Sequence, residues 1–313
     1  VLQQPLTLPV IASPLFLASG PELVLAQCQA GVVGSFPALN ARPAELLSDW
    51  LDELKEKLAG NPNAAPFAVN QIVHRSNNRL EEDMAVLVKH RVPIVITSLG
   101  ARPEINEAVH SYGGIVLHDV TTNRFAHKAI EKGADGLIAV AAGAGGHAGA
   151  QSPFALVREI RRWFEGPLAL SGAITHGRSI LAAQAIGADF AYIGSAFLAT
   201  KESNAPEPQK QLMIESTAED IVYSNLFTGV HGNYLRGSIA ASGLDPDNLA
   251  QSDASAMSFG SGAKSEAKAW RDIWGSGQGI AELTGSVTTQ ELVDRLKREY
   301  DQARQEMALV LSA

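Results

Sequence analysis

Residues 167–195 read PLALSGAITHGRSILAAQAIGADFAYIGS. An apolar run, PLALSG (167–172), breaks off at small residues. GRSILAAQAIGA then carries the spacing of a helix and stops on a glycine. A second apolar run, ADFAYIG (188–194), ends in another small-residue turn. Neither run alternates apolar with polar, so each reads as a strand buried on both faces, as in a parallel sheet. The stretch is one strand–helix–strand unit.

The same unit recurs towards the N-terminus. Further apolar runs are LPVIAS (8–13), GVVGSF (31–36), PFAVNQIV (66–73), VPIVITS (92–98), GGIVLHDV (113–120) and ADGLIAV (134–140), with helical patterns between them. One of these, ARPAELLSDWLDELKEKLAG (41–60), places Leu46, Leu47, Trp50, Leu51 and Leu54 along one face and ends in lysines and Gly60. Eight strand–helix alternations make a (β/α)8 TIM barrel the leading α/β architecture. A doubly wound open sheet is the alternative, weakened because no G-x-G-x-x-G follows the first run. The pattern breaks after the eighth run. Residues 204–272 are richer in Ser, Asn, Pro and Gly, with helical patches near 207–217 and 234–243 and a candidate strand at 220–225. They read as an inserted, mainly helical cap on a barrel made of 1–203 plus 273–313, with SFGSGAKSEA (258–267) as a mobile linker. VTTQELVDRLKREYDQARQEMALVL (287–311) reads as a closing amphipathic helix, capped by Thr288 or Thr289 with Glu291 in its first turn.

Composition narrows the function classes. The chain has 313 residues, 46% of them hydrophobic, which suffices for a sizeable core. Its 25 basic and 33 acidic residues give a net charge of −8 with no Lys/Arg cluster, so nucleic acid and polybasic membrane binding are not expected. No apolar run is long enough for a transmembrane span and no signal peptide is evident, so a cytoplasmic protein is expected. The lone cysteine, Cys28, lies on an apolar helix face and reads as core, which excludes an internal disulfide and a Cys-based metal site.

Barrel enzymes carry their chemistry on the loops that follow the strands. Here those positions hold Ala12-Ser13-Pro14-Leu15, Asn70-Gln71, Ser98, His118-Asp119, the loop GAGGHAG (143–149) with His147, Ser171-Gly172-Ala173, and Gly194-Ser195. Small residues after the last two strands leave main-chain amides for a phosphate. No lysine lies at a strand end, which argues against a Schiff base, and Asp119 is the one carboxylate, which argues against a metal-assisted enolisation. An amide, hydroxyl and apolar lining suits a flat hydrogen-bonding ring, with His147 as the acid/base group in reach.

These pieces carry a resemblance. LPVIASPLFLASGPELVLAQCQAGVVGSFPA, FAVN, AAGAGGHAG, LALSGAITHG, GADFAYIGSAFLATKESNA and IWGSGQG (273–279) resemble, in that order, the nitronate monooxygenase (2-nitropropane dioxygenase) family of FMN-dependent barrels. The resemblance implies FMN at the barrel mouth. Its phosphate would lie at Gly172, Ala173, Gly194 and Ser195, and its ring along Ala12, Ser13, Pro14 and Leu15. Asn70 would hydrogen-bond the flavin, with Ser98 near the ring and Gln278 reaching it from the cap side; Gln71, Asp119, Gly145, Gly146 and Ser171 complete the cofactor set. His147 would be the catalytic acid/base, with His118 and His231 towards the substrate. The implied reaction oxidises an alkyl nitronate or nitroalkane with O2 to a carbonyl compound and nitrite, in a monomer or homodimer without a metal.

The chain departs from that pattern. Relatives often carry Met where Leu15 or Phe16 stands, Gly-Gly for Gly172-Ala173, and an Arg-rich version of TGVHGNYLRGSI (228–239), and the quinone-reductase-like members carry Lys where Asp119 stands. Two alternatives therefore stay open. One is an NAD(P)H-dependent flavin reductase of the same superfamily acting on an enoyl thioester or quinone. The other is a flavin-free barrel with a phosphate-bearing ligand.

Overall fold

The computed structural model describes residue 2 and residues 5–252 and 272–312. All eight runs form strands: β1 (Val10–Ala12), β2 (Gly34–Pro37), β3 (Phe67–Ile72), β4 (Ile94–Ser98), β5 (Ile115–Val120), β6 (Gly136–Val140), then, after a two-residue strand β7 (Gly146–His147), β8 (Leu168–Ser171) and β9 (Phe190–Ile193). The parallel sheet runs β1-β9-β8-β6-β5-β4-β3-β2. Val33, just before β2, then bonds back to β1: its amide donates to Val10 O at 3.1 Å and its carbonyl accepts from the Ala12 amide at 2.8 Å. The sheet is thereby a closed (β/α)8 barrel, not an open doubly wound sheet.

Closure explains the unbroken apolarity of the runs. Ile11, Val33, Ala68, Ile94, Ile96, Leu117, Ile138 and Ala169 pack inside the cylinder. Val10, Val69, Val95, Val116, Leu137, Leu168 and Ala191 face the helices around it. Those helices are α1 (Pro21–Gln29), α2 (Leu46–Ala59), α3 (Leu80–Lys89), α4 (Pro103–His110), α5 (Asn123–Glu131), α6 (Pro153–Arg161), α7 (Gly177–Ala185) and the short α8 (Ser195–Leu198). Cys28 is fully buried under α1, as expected.

The C-terminal helix, Thr289–Ser312, packs back on α7 and α1 and buries Leu292, Val293, Leu296 and Ala303. Thr288 is its cap: the Glu291 amide donates to Thr288 Oγ1 at 3.2 Å, and the Thr288 amide donates to Glu291 Oε2 at 2.8 Å. Gly177 lets this helix approach α7, because a Cβ there would stand 2.2 Å from Tyr300 N. Among the described residues no helix is long and apolar enough to cross a membrane.

The stretch expected as a cap contains, among its described residues, α9 (Glu207–Glu215), β10 (Ile221–Ser224), β11 (Gly232–Leu235) and α10 (Arg236–Ala241). The helical pattern near 234–243 begins two residues late, at Arg236, because 232–235 is drawn into a strand. β11 pairs antiparallel with β10 on one side and with β7 on the other, Gly232 opposite His147 and Asn233 opposite Gly146. This pairing on both sides overrides local helical propensity. The expected linker at 258–267 lies outside the described residues.

Candidate active site

The carboxyl ends of the strands open into a cavity of about 1160 Å³. Its wall is assembled from chain segments far apart in sequence, and most of the residues singled out above meet there: Ser13, Pro14, Leu15, Asn70, Ser98, His118, Asp119, Gly145, Gly146, His147, Ser171, Gly172, Ala173, Gly194 and Ser195.

Three neighbouring strands supply a polar row. Inward-facing positions alternate along a strand, so Asn70 on β3, Ser98 on β4 and Asp119 on β5 stand side by side. Asn70 Nδ2 donates to Ser98 Oγ at 2.7 Å and to the Ile96 carbonyl at 3.1 Å. Ser98 Oγ in turn donates to Asp119 Oδ2 at 2.5 Å. Burial pushes the Asp119 carboxyl up to about 6, against the opposing pull of Ser98 and the Leu99 amide. Tyr192 on β9 completes the row. Its buried phenol is held well above the usual tyrosine range by desolvation and by the nearby Asp119 charge, while Ser13 hydrogen-bonds it.

The same alternation turns two expected residues away. Ala12 and Gln71 are fully buried and do not line the cavity. Ala12 instead gives its carbonyl to Ser35 Oγ at 2.5 Å, and Gln71, next to inward Asn70, faces the helical layer. His118 also sits on that outer parity. Its Nδ1 lies 2.6 Å from Thr97 Oγ1, and burial lowers its pKa to about 4, but it still lines the cavity, as do Phe125 and Lys128 of α5.

Opposite the polar row lies a corner of small residues. Gly172 has φ 153° and Ala173 φ 54°, so the chain turns sharply there; a Cβ on Gly172 would meet the Ala142 carbonyl at 2.8 Å. The returning loop Gly275-Ser276-Gly277 closes the corner. Gly277 N donates to Ser195 Oγ at 2.8 Å, and Gln278 N donates to the Gly143 carbonyl at 2.9 Å. The Ala173 amide also donates to Gly143 O, at 3.2 Å, so it is not available to a phosphate as expected. The amides opening α8 have no carbonyl within that helix. Ser276 is 1% exposed and lines the cavity, and its buried Oγ has no hydrogen-bond partner among the described residues. Gln278 lies behind Gly143 rather than on the wall.

The loop GAGGHAG is held by the insert. Asn233 Nδ2 donates to the Ala144 carbonyl at 2.6 Å, Ala148 N donates to His231 O at 3.1 Å, and Tyr223 Oη donates to Ala148 O at 3.1 Å. A Cβ on Gly232 would stand 2.7 Å from Gly146 O, so the β7–β11 pairing needs glycine at that position. His147 lines the cavity, and burial lowers its pKa to about 4, leaving a neutral imidazole at pH 7. His231 does not line the cavity; its ring is exposed and stacks on Tyr223 with centroids 5.0 Å apart.

Tyr192, Ser276, Thr228 and Asn233 belong to this site without having been picked out as site residues from sequence. Tyr192 falls on the inward parity of its strand, two residues before Gly194, a signal that sequence alone offered. The other three depend on loops that return from 80 residues or more away in sequence.

Comparison with known proteins shows the family and the fold. A family model described as nitronate monooxygenase matches residues 22–299. A nitronate monooxygenase of Paraburkholderia phytofirmans is 27% identical, across 96% of this chain and 94% of that protein. A putative monooxygenase of Mycobacterium tuberculosis is 30% identical across 52% of this chain, a match that spans only 44% of that protein. In fold, the chain is similar to the crystal structure of a nitroalkane oxidase from Streptomyces ansochromogenes, with a TM-score of 0.81 at 24% identity over 96% of this chain and 98% of that one.

Proposed function

Because the chain belongs to the nitronate monooxygenase family, we propose that it is an FMN-dependent oxidoreductase that converts an alkyl nitronate, such as propionate 3-nitronate, and O2 to a carbonyl compound and nitrite. The observation that carries this reading is His147, an imidazole kept neutral by burial on the wall of a cavity it shares with Asn70, Ser98, Asp119 and the small corner at Gly172 and Gly194.

The residues present fit FMN. The unpartnered, buried hydroxyl of Ser276 and the small corner at Gly172 and Gly194 are suited to a phosphate, with Ser195 beside them. Ser13, Pro14 and Leu15 offer a flat edge for a ring, and Asn70 an amide to its polar rim. When bound there, FMN supplies the electron acceptor for nitronate oxidation. The protein's own part is to bind, orient and keep water out. His147 removes the α-proton when the substrate arrives as a neutral nitroalkane; a nitronate arrives already deprotonated and does not need it.

This division of labour gives a direct test. In His147→Ala, kcat/KM for a neutral nitroalkane falls by about 10²–10⁴-fold, the usual worth of a general base. Oxidation of the preformed nitronate survives. Full nitroalkane turnover by the variant would remove His147 from the reaction.

A further inference from the structure

The hydroxyl of Thr228 reaches His147 from 81 residues away in sequence: Oγ1 lies 2.9 Å from Nε2. Thr228 sits in the turn between β10 and β11 and is 4% exposed. Its Oγ1 is also 3.1 Å from the Val230 carbonyl oxygen, and it accepts from the Val230 amide at 3.4 Å. A threonine hydroxyl has one proton and two lone pairs. The Val230 carbonyl can only accept, so it takes the proton. The lone pairs are then filled by donors, one of them the Val230 N–H and the other an N–H on the imidazole. The opposite tautomer would set two acceptors, His147 Nε2 and Val230 O, against one proton and leave one of them without it.

We propose that Thr228 is a positioning residue that holds neutral His147 in its Nε2–H tautomer, so that Nδ1 is the nitrogen that takes the substrate proton. The second half rests on the function proposed above; the first half does not. The strand pairing of His147 with Gly232 fixes the backbone, and Thr228 fixes the ring. The insert thus supplies a part of the acid/base machinery that the barrel lacks. The tautomer is set by what the second nitrogen bonds, a general property of histidine sites.

The test is the two-bond 1H–15N imidazole spectrum of the 15N-labelled full chain at pH 7. The chain has eight histidines, so the His147 signals are identified by their loss in His147→Gln. The expected spectrum has Nε2 at the protonated, pyrrole-like position and Nδ1 at the pyridine-like position. Thr228→Ser keeps that pattern, and Thr228→Val, which keeps the shape and loses the hydroxyl, moves both nitrogens towards the averaged shifts of a tautomer mixture. An Nδ1–H pattern in the wild type, or an unmoved pattern in Thr228→Val, overturns the proposal. If Thr228→Val does not fold, the wild-type and Thr228→Ser spectra decide. None of these spectra involves turnover, so a protein with the expected tautomer that fails to oxidise nitronates refutes the proposed function and leaves the role of Thr228 standing.

Discussion

Asp119 and the two buried imidazoles, His118 and His147, pull in opposite directions as pH changes. Each histidine has a folded-state pKa of about 4 against an ordinary 6.5. Between those values the unfolded chain binds protons that the folded chain does not, so stability falls as pH drops from about 6.5 to about 4. Asp119, raised from 3.8 to about 6, holds a proton in the folded chain that the unfolded chain has lost, so its contribution is present at low pH and is lost as pH rises through about 6. In Asp119→Asn the opposing carboxyl is gone. Denaturant unfolding of the apo-protein between pH 4.5 and 5.5 is expected to show an acid loss of stability steeper than wild type by about 1.4 kcal/mol per pH unit. An unchanged or shallower slope would show that the carboxyl is not raised. His147 and the glycines around it were legible in the sequence, because a titratable ring among residues without side chains is a local signal. Tyr192 and Gln71 were harder to place, since one residue of strand parity decides whether a side chain faces cavity or helix.

At the scale of elements, two glycines hold joints that other residues cannot. Gly177→Ala sets a methyl against backbone atoms of the C-terminal helix, Tyr300 N at 2.2 Å and Leu296 O at 2.4 Å. Overpacking of this kind costs about 1–3 kcal/mol, read as a lower Tm. Gly232→Ala has a different signature. The methyl meets Gly146 O at 2.7 Å, at the pairing that carries His147 into place. Nitroalkane turnover is expected to fall much more than Tm, and an unaltered turnover would mean that the β7–β11 pairing does not position the imidazole. The strands and helices of the barrel were readable because each is a local pattern of apolar spacing and terminal glycines. β11 was not, because GNYL is drawn into a strand by pairing with β10 on one side and, on the other, with a loop that lies more than 80 residues earlier.

For the whole molecule, barrel closure through Val33 brings Ser13 and Gly194 to one end with Asn70, Asp119 and His147, and the insert lies over that end. The eightfold count of strands announced this arrangement, and the order of the small-residue turns located its mouth. The identity of the electron donor is written less plainly, because the same amide, hydroxyl, carboxyl and imidazole lining would serve either a nitronate or a reduced nicotinamide beside a flavin. The decisive measurement is the absorbance of the purified protein during anaerobic mixing, with a nitronate in one experiment and NADH in another. A two-band flavin spectrum that bleaches with nitronate and barely responds to NADH is the predicted result. A colourless protein, or a flavin bleached rapidly by NADH and untouched by nitronate, would contradict it.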